Sequence, residues 1–314
     1  MAFAMAPDRM SFAVLGPGGV GGLLAALLSR GGDRVVVLHD SGLREIHVES
    51  KRFGDFTASV QTAPRLAEPV DAVLVTVKAT HLEQALDRMP AAALGDALVI
   101  PFLNGIEHVE LLRSAYPASS VVPATIRIET TKAAPGVVHH TSPFAVVDIG
   151  PRGEQVAAHL RATGLDVRIK DDEKAMLWDK MAVLAPMALL TTHERANIGE
   201  VRARRREDLE ALVREFASVA AAEGVAIDPI ANLAFIERAP ETMETSMQRD
   251  QAAGRQIEID ALGGALLRRA AKAGIEVPVT ERIVEDLKKR NLTNGTRGAG
   301  PPCGEPPSPR HVQR

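Results

Sequence analysis

Apolar positions along the chain follow two rhythms. Short runs come first: "SFAVL" at Ser11–Leu15, the β-branched "RVVVLHD" at Arg34–Asp40, "DAVLVTVK" at Asp71–Lys78 and "ALVIPFLNG" at Ala97–Gly105. The third shows no apolar-polar alternation, which predicts a strand covered on both faces. Between these runs the spacing predicts helices over Gly19–Arg30, closed by Gly31-Gly32, and over His81–Met89. Strand and helix in alternation predict a doubly wound parallel sheet. From Val121 to Gly150 only strands are predicted, with turns at Ala134-Pro135-Gly136 and Thr141-Ser142-Pro143, and Asp166–Asp171 reads as the last strand.

The second rhythm is helical. It predicts helices over Glu173–Thr191, Glu207–Glu223, Pro229–Arg238, Gln256–Ala273 and Thr280–Arg290. The expected fold class is therefore α/β: a Rossmann-type doubly wound sheet over 11–170, then an all-helical domain over 171–290. Residues 291–314 carry Gly, Pro and Ser without periodicity and are expected to form a disordered tail. No internal repeat is visible.

Composition narrows the classes of function. Hydrophobic residues make up 46% and charged residues 25% of 314 residues, the profile of a soluble globular protein. Aromatics at 3% are too few for base-stacking platforms. Net charge is −3, and Lys288–Arg314 holds six Lys/Arg against one Glu, so the body carries the acidic excess. An acidic body argues against nucleic acid as a partner. The lone Cys303 forms neither an internal disulfide nor a cysteine-based zinc site. Met1–Met10 is too short and polar for a secretion signal, and no apolar run approaches a membrane span. A cytoplasmic protein, compatible with a homodimer, is expected.

"VLGPGGVGG" places Gly16, Gly18 and Gly21 in the spacing G-x-G-x-x-G between a predicted strand and helix, with Gly19 beside them. Such glycines allow the tight turn, the approach of a pyrophosphate and close helix packing, and the helix N-terminus faces the phosphates. A dinucleotide is the expected cofactor. Asp40 ends the second run, where an acid normally accepts from the ribose hydroxyls and favours NAD. Its plainer reading is a loop cap before Ser41-Gly42, and Arg44, Lys51 or Arg52 could reach a 2′-phosphate instead. "LWDKMAVLAPMALL" then sets Lys180 in a stretch otherwise almost entirely apolar. Burying an unpaired lysine costs several kcal/mol, so Lys180 reaches water or has a task.

Five ordered motifs carry a resemblance: the glycine loop, "VTVKA" with Lys78, "NG" with Asn104, "PGVVHHT", and "LWDK" followed late by a serine and "EID". From Phe12 to Lys289 the chain resembles the ketopantoate reductase (2-dehydropantoate 2-reductase) family. The resemblance implies hydride transfer from NADPH to the keto carbon of a 2-oxo acid, ketopantoate to pantoate in pantothenate biosynthesis. It also implies a helical domain of the 6-phosphogluconate dehydrogenase C-terminal type. Lys180 takes the place of the family's general acid, Glu258 its late acid, and Ser246 a contact to the substrate carboxylate side. Lys78 and Asn104 fall beside nicotinamide and substrate. Chemistry agrees with the lysine, because hydride arriving at a carbonyl leaves an alkoxide that needs a proton. Read alone, Glu258 is a helix-surface carboxylate and Ser246 an ordinary hydroxyl.

Two positions depart from the family. Asp40 stands where an arginine usually grips the NADP 2′-phosphate, so NADP follows from the resemblance and NAD from the residue. Leu184 and Ala188 stand where asparagines usually face substrate, with Pro186 expected to kink the helix between them. A β-hydroxyacid dehydrogenase relative and a non-catalytic NAD(P) sensor are the competing readings.

Overall fold

The computed structural model describes residues 8–297. Its strands are β1 (Ser11–Leu15), β2 (Arg34–Leu38), β3 (Glu45–Ser50), β4 (Phe56–Ser59), β5 (Gln61–Ala63), β6 (Ala72–Val75), β7 (Leu98–Pro101), β8 (Ala124–Arg127), β9 (Thr130–Ala134), β10 (Val137–His140), β11 (Val146–Ile149) and β12 (Asp166–Ile169). Its helices are α1 (Gly19–Arg30), α2 (Leu82–Ala85), α3 (Ala91–Leu94), α4 (His108–Ala115), α5 (Glu154–Ala162), α6 (Glu173–Glu194), α7 (Ile198–Arg204), α8 (Arg206–Ala222), α9 (Pro229–Glu237), α10 (Ser246–Ala252), α11 (Ala265–Ala273) and α12 (Pro278–Arg297).

The first sheet runs β5-β2-β1-β6-β7, all parallel. β6 is buried at every position, as its unbroken apolar run predicts. Strand order reverses about β1, the point where open α/β sheets bind ligands. The glycine loop leaves β1 there. Two smaller sheets, β4-β3-β10-β9 and β12-β11-β8, complete the strand region. The hairpin of β3 and β4 went unpredicted, although "EIHVES" alternates: Ile46 and Val48 are buried while Glu45 and Glu49 face out. His139 and His140 take opposite faces of β10, the first with Nε2 3.2 Å from Glu49, the second buried against Ser50 at 2.8 Å.

The helix expected over His81–Met89 is broken into a 3₁₀ turn at Ala79–His81, α2 and a second 3₁₀ turn at Leu86–Arg88. It stops at Met89, whose φ −130° and ψ 69° lie outside the helical region that a following Pro90 disfavours. Beyond Ile169 the described residues are helices and loops. Asp172 caps α6 by accepting from the Ala175 N–H at 2.8 Å. α6 runs unbroken through Pro186 and forms the helical core, with Trp178 and Leu189 fully buried.

Three helical expectations are corrected. α3, α4, α5, α7 and α10 were not foreseen. The helix expected from Gln256 begins only at Ile259, with a π-turn over Asp260–Gly264 leading into α11. α12 continues to Arg297, so the stretch expected to be disordered from Asn291 is helical at its start, and 298–314 lie outside the described residues. Arg202, on α7, donates to the Ile236 and Ala239 carbonyls at 3.2 and 3.0 Å and closes the end of α9.

Candidate active site

The loop after β1 is built for close approach. Gly16 sits at φ +101°, and the Thr76 hydroxyl donates to its carbonyl at 2.7 Å, pinning the loop to the end of β6. A Cβ on Gly21 would stand 2.2 Å from both the Gly16 carbonyl oxygen and Thr76 Oγ1, so this glycine is required by packing. One on Gly19 would meet Thr130 Oγ1 at 2.7 Å. Gly18 differs, because a Cβ there meets nothing within 4 Å. Its open side and the unpaired N–H groups of the first turn of α1 fit a pyrophosphate.

Asp40 follows β2 and is clamped by Arg88, whose Nη1 donates to Oδ1 at 3.1 Å while Nη2 contacts Oδ2. These bonds hold the Asp40 carboxyl below the usual carboxylate range. Both Asp40 oxygens thus meet Arg88, and the adjacent Ser41 N–H donates to His39 Nδ1 at 3.0 Å. Arg52 is committed to Asp166 at 3.0 Å, so the cation beside Asp40 is Arg88, which the sequence reading missed.

Three of the candidate residues form one hydrogen-bonded chain. Lys180 Nζ, on α6, donates to Asn104 Oδ1 at 3.0 Å, and Asn104 Nδ2 donates to Glu258 Oε2 at 3.1 Å. The other Glu258 oxygen accepts from the Ala79 N–H at 2.9 Å. Glu258 is buried, not the surface carboxylate of its plainer reading, because the helix starts just after it and leaves it at the mouth of the turn. Gly105 makes the junction possible: at φ +87°, its Cβ position lies 2.5 Å from the Ala261 carbonyl oxygen. Lys180 is pushed down to about 8, first by burial and then by the Arg127 charge, with Glu258 opposing.

Lys78 lies outside this chain and is ion-paired with Asp250 on α10 at 2.7 Å. Ser246 lies one turn before Asp250 on that helix, exposed and without a bond to Lys180 or Glu258. The buried Thr245–Thr191 hydroxyl contact at 3.0 Å ties α10 to α6. Leu184, one turn after Lys180, is half-buried, whereas Ala188 is packed in the core. Asp250, Arg127 and His108 were missed. His108 is buried beside the Asn104 loop with both ring nitrogens unpartnered among the described residues, and burial followed by the Lys180 charge pushes it down to about 3. Nothing in the local spacing around these three marks them; only the assembled site does.

The ketopantoate reductase PanE/ApbA family model matches residues 12–154, and the ketopantoate reductase PanE/ApbA C-terminal model matches 172–291. The 2-dehydropantoate 2-reductase of Caulobacter vibrioides is 31% identical over 298 residues, covering 90% of this chain and 99% of the relative. A PanE/ApbA family ketopantoate reductase from Ralstonia eutropha superposes with TM-score 0.82 at 27% identity, over 91% of this chain and all of that one. D-mandelate dehydrogenase, solved with NADH and anilino(oxo)acetate, shares the fold at TM-score 0.84 and 21% identity, over 91% and 100% of the two chains. With both family models and the curated relative spanning nearly its whole length, the chain belongs to the ketopantoate reductase family and is an NAD(P)H-dependent oxidoreductase of that type.

Proposed function

We propose that the protein reduces the keto group of a 2-oxo acid to a hydroxyl, with Lys180 as proton donor. The observation that carries this reading is the Lys180–Asn104–Glu258 chain, joining an ammonium, an amide and a buried carboxylate at the ligand-binding end of the sheet. A nicotinamide coenzyme, when bound at the glycine loop, supplies the hydride. As hydride reaches the keto carbon, negative charge grows on its oxygen, and Lys180 stabilises and then protonates it. Asn104 holds Nζ in place, while Glu258 fixes the amide so that its oxygen faces the lysine. With its pKa near 8, Lys180 is largely protonated at neutral pH yet closer to it than an ordinary lysine, the range in which proton transfer works best.

Asp40 favours NADH by offering acceptors to the ribose, and Arg88 keeps that carboxylate ionised and oriented. Leu184 replaces a hydrogen-bonding side chain and so weakens selection for a substrate hydroxyl. An apolar wall discriminates by only about 1–3 kcal/mol per methylene, far less than an unsatisfied polar site. The test is a panel of 2-oxo acids assayed with NADH and NADPH in parallel. The expected result is reduction of several branched 2-oxo acids, ketopantoate and its deoxy analogue within about tenfold of each other, with NADH at least matching NADPH. Asp40→Arg then shifts preference toward NADPH. Turnover of no 2-oxo acid with either coenzyme contradicts the proposal.

A further inference from the structure

Along the seam between the two halves of the molecule runs a cleft of about 330 Å³, near the lower end of the sizes that hold small ligands. The strand region contributes Thr80, part of α2 and the start of α4, and the helical region contributes Asp260, Ala261 and Arg268. Asn104 borders the cleft, whereas Lys180, Glu258 and the glycine loop do not, so it lies beside the catalytic chain rather than within it. Its walls are apolar at Leu82, Ile106 and Leu111.

Between these apolar walls His108 is the polar point. It is 5% exposed, and neither ring nitrogen has a partner among the described residues. Native folds leave few buried polar atoms unpaired, because each forfeits its hydration. The ring is neutral at working pH, so one nitrogen donates and the other accepts. A ligand hydroxyl can serve whichever of them it meets, since it does both. The rim has a different character. Arg268 is the one permanent cation of the lining, and its fork is spent. Nε and Nη2 donate to Glu107 at 3.0 and 2.6 Å, and Nη1 and Nη2 donate to Asp260 at 2.9 and 3.0 Å. Glu83, exposed at the rim, adds a third carboxylate against that single charge. An anion entering here meets net repulsion, and an ammonium meets net attraction.

We propose that this cleft is a second ligand site, which takes a small aliphatic amino alcohol with its hydroxyl on His108, its methylenes between Leu82, Ile106 and Leu111, and its ammonium at the carboxylate rim. Such an occupant touches both halves of the molecule and lies against Asn104, so it braces the seam on which the Lys180 chain depends.

The experiment is calorimetric titration of the full chain with aminopentanol, and with pentylamine, pentanol and hydroxypentanoate as probes lacking one feature each. Wild type is expected to bind aminopentanol about tenfold more tightly than pentylamine or pentanol, and to give no heat with hydroxypentanoate. His108→Leu should weaken aminopentanol by about tenfold and leave pentylamine unmoved, because only the first loses a hydrogen bond. Glu83→Lys should weaken both amines and leave pentanol unmoved, and added salt should do the same. Thr80→Trp fills the cleft from its wall and should abolish binding of all four probes. It and Glu83→Lys change positions outside the core, so they carry the test if His108→Leu does not fold by thermal melting. Aminopentanol that binds wild type no better than pentanol, or not at all at tens of millimolar, overturns the proposal. Binding indifferent to Thr80→Trp, or competitive with coenzyme, overturns it too, because the ligand then sits elsewhere.

Discussion

Lys180 and His108 are both pushed down by burial, but on opposite sides of neutrality. Lys180, at about 8, remains a proton donor at pH 7, while His108, at about 3, is a neutral imidazole throughout the working range. For His108 the unfolded chain, with an ordinary pKa near ~6.5, binds a proton that the folded protein refuses. Its contribution to stability is thus intact above the unfolded value and is lost as pH falls from there toward about 3, by up to about 1.4 kcal/mol per unit. His108→Gln removes the titration. Between pH 7 and 5, urea melts of wild type should lose roughly 2 kcal/mol more than those of the variant. Parallel losses in the two proteins would show that the ring is charged or solvated in the folded state. Neither the burial of His108 nor the pairing of Glu258 was legible from neighbours in sequence, because both depend on chain segments more than a hundred residues apart, and Glu258 also on a helix that begins three residues later than its pattern suggests.

At the scale of elements, what the sequence made legible was whatever repeats within a few residues. The parallel strands β1, β2, β6 and β7 were readable because burial on both faces leaves an apolar run. β3 and β4 were not recognised, because a half-exposed hairpin is diluted with charge, and α10 is only seven residues of mostly polar chain. The glycine loop was legible as a pattern, but its glycines separate only in space. Gly18→Val projects into open space and should abolish coenzyme binding while leaving the melting temperature within a few degrees. Gly21→Ala drives a methyl against the Gly16 carbonyl and the Thr76 hydroxyl, and should destabilise the fold by roughly 1–3 kcal/mol. Calorimetric titration with coenzyme, paired with thermal melts, distinguishes them. Unchanged coenzyme affinity in Gly18→Val would remove the loop from the account.

Across the whole molecule, the site is assembled from both halves of the chain. The strand region supplies Lys78, Ala79 and Asn104, and the helical region supplies Lys180, Asp250 and Glu258, each joined to a partner across the division. Gly105 against Ala261 and the fork of Arg268 on Glu107, at 3.0 and 2.6 Å, lie along the same seam. The family resemblance made the residues legible one by one, while their connection through Asn104 required the fold. The central claim is that this connection exists to present the Lys180 proton to a keto oxygen. Its most direct test is steady-state reduction of the best 2-oxo acid from the panel by wild type and Lys180→Ala, alongside coenzyme titration. The account predicts a fall in turnover of roughly 10²–10⁴-fold with coenzyme affinity near normal, and a wild-type kcat/KM that declines above pH about 8 as Lys180 loses its proton. Full activity in Lys180→Ala, with the same pH profile as wild type, would contradict it.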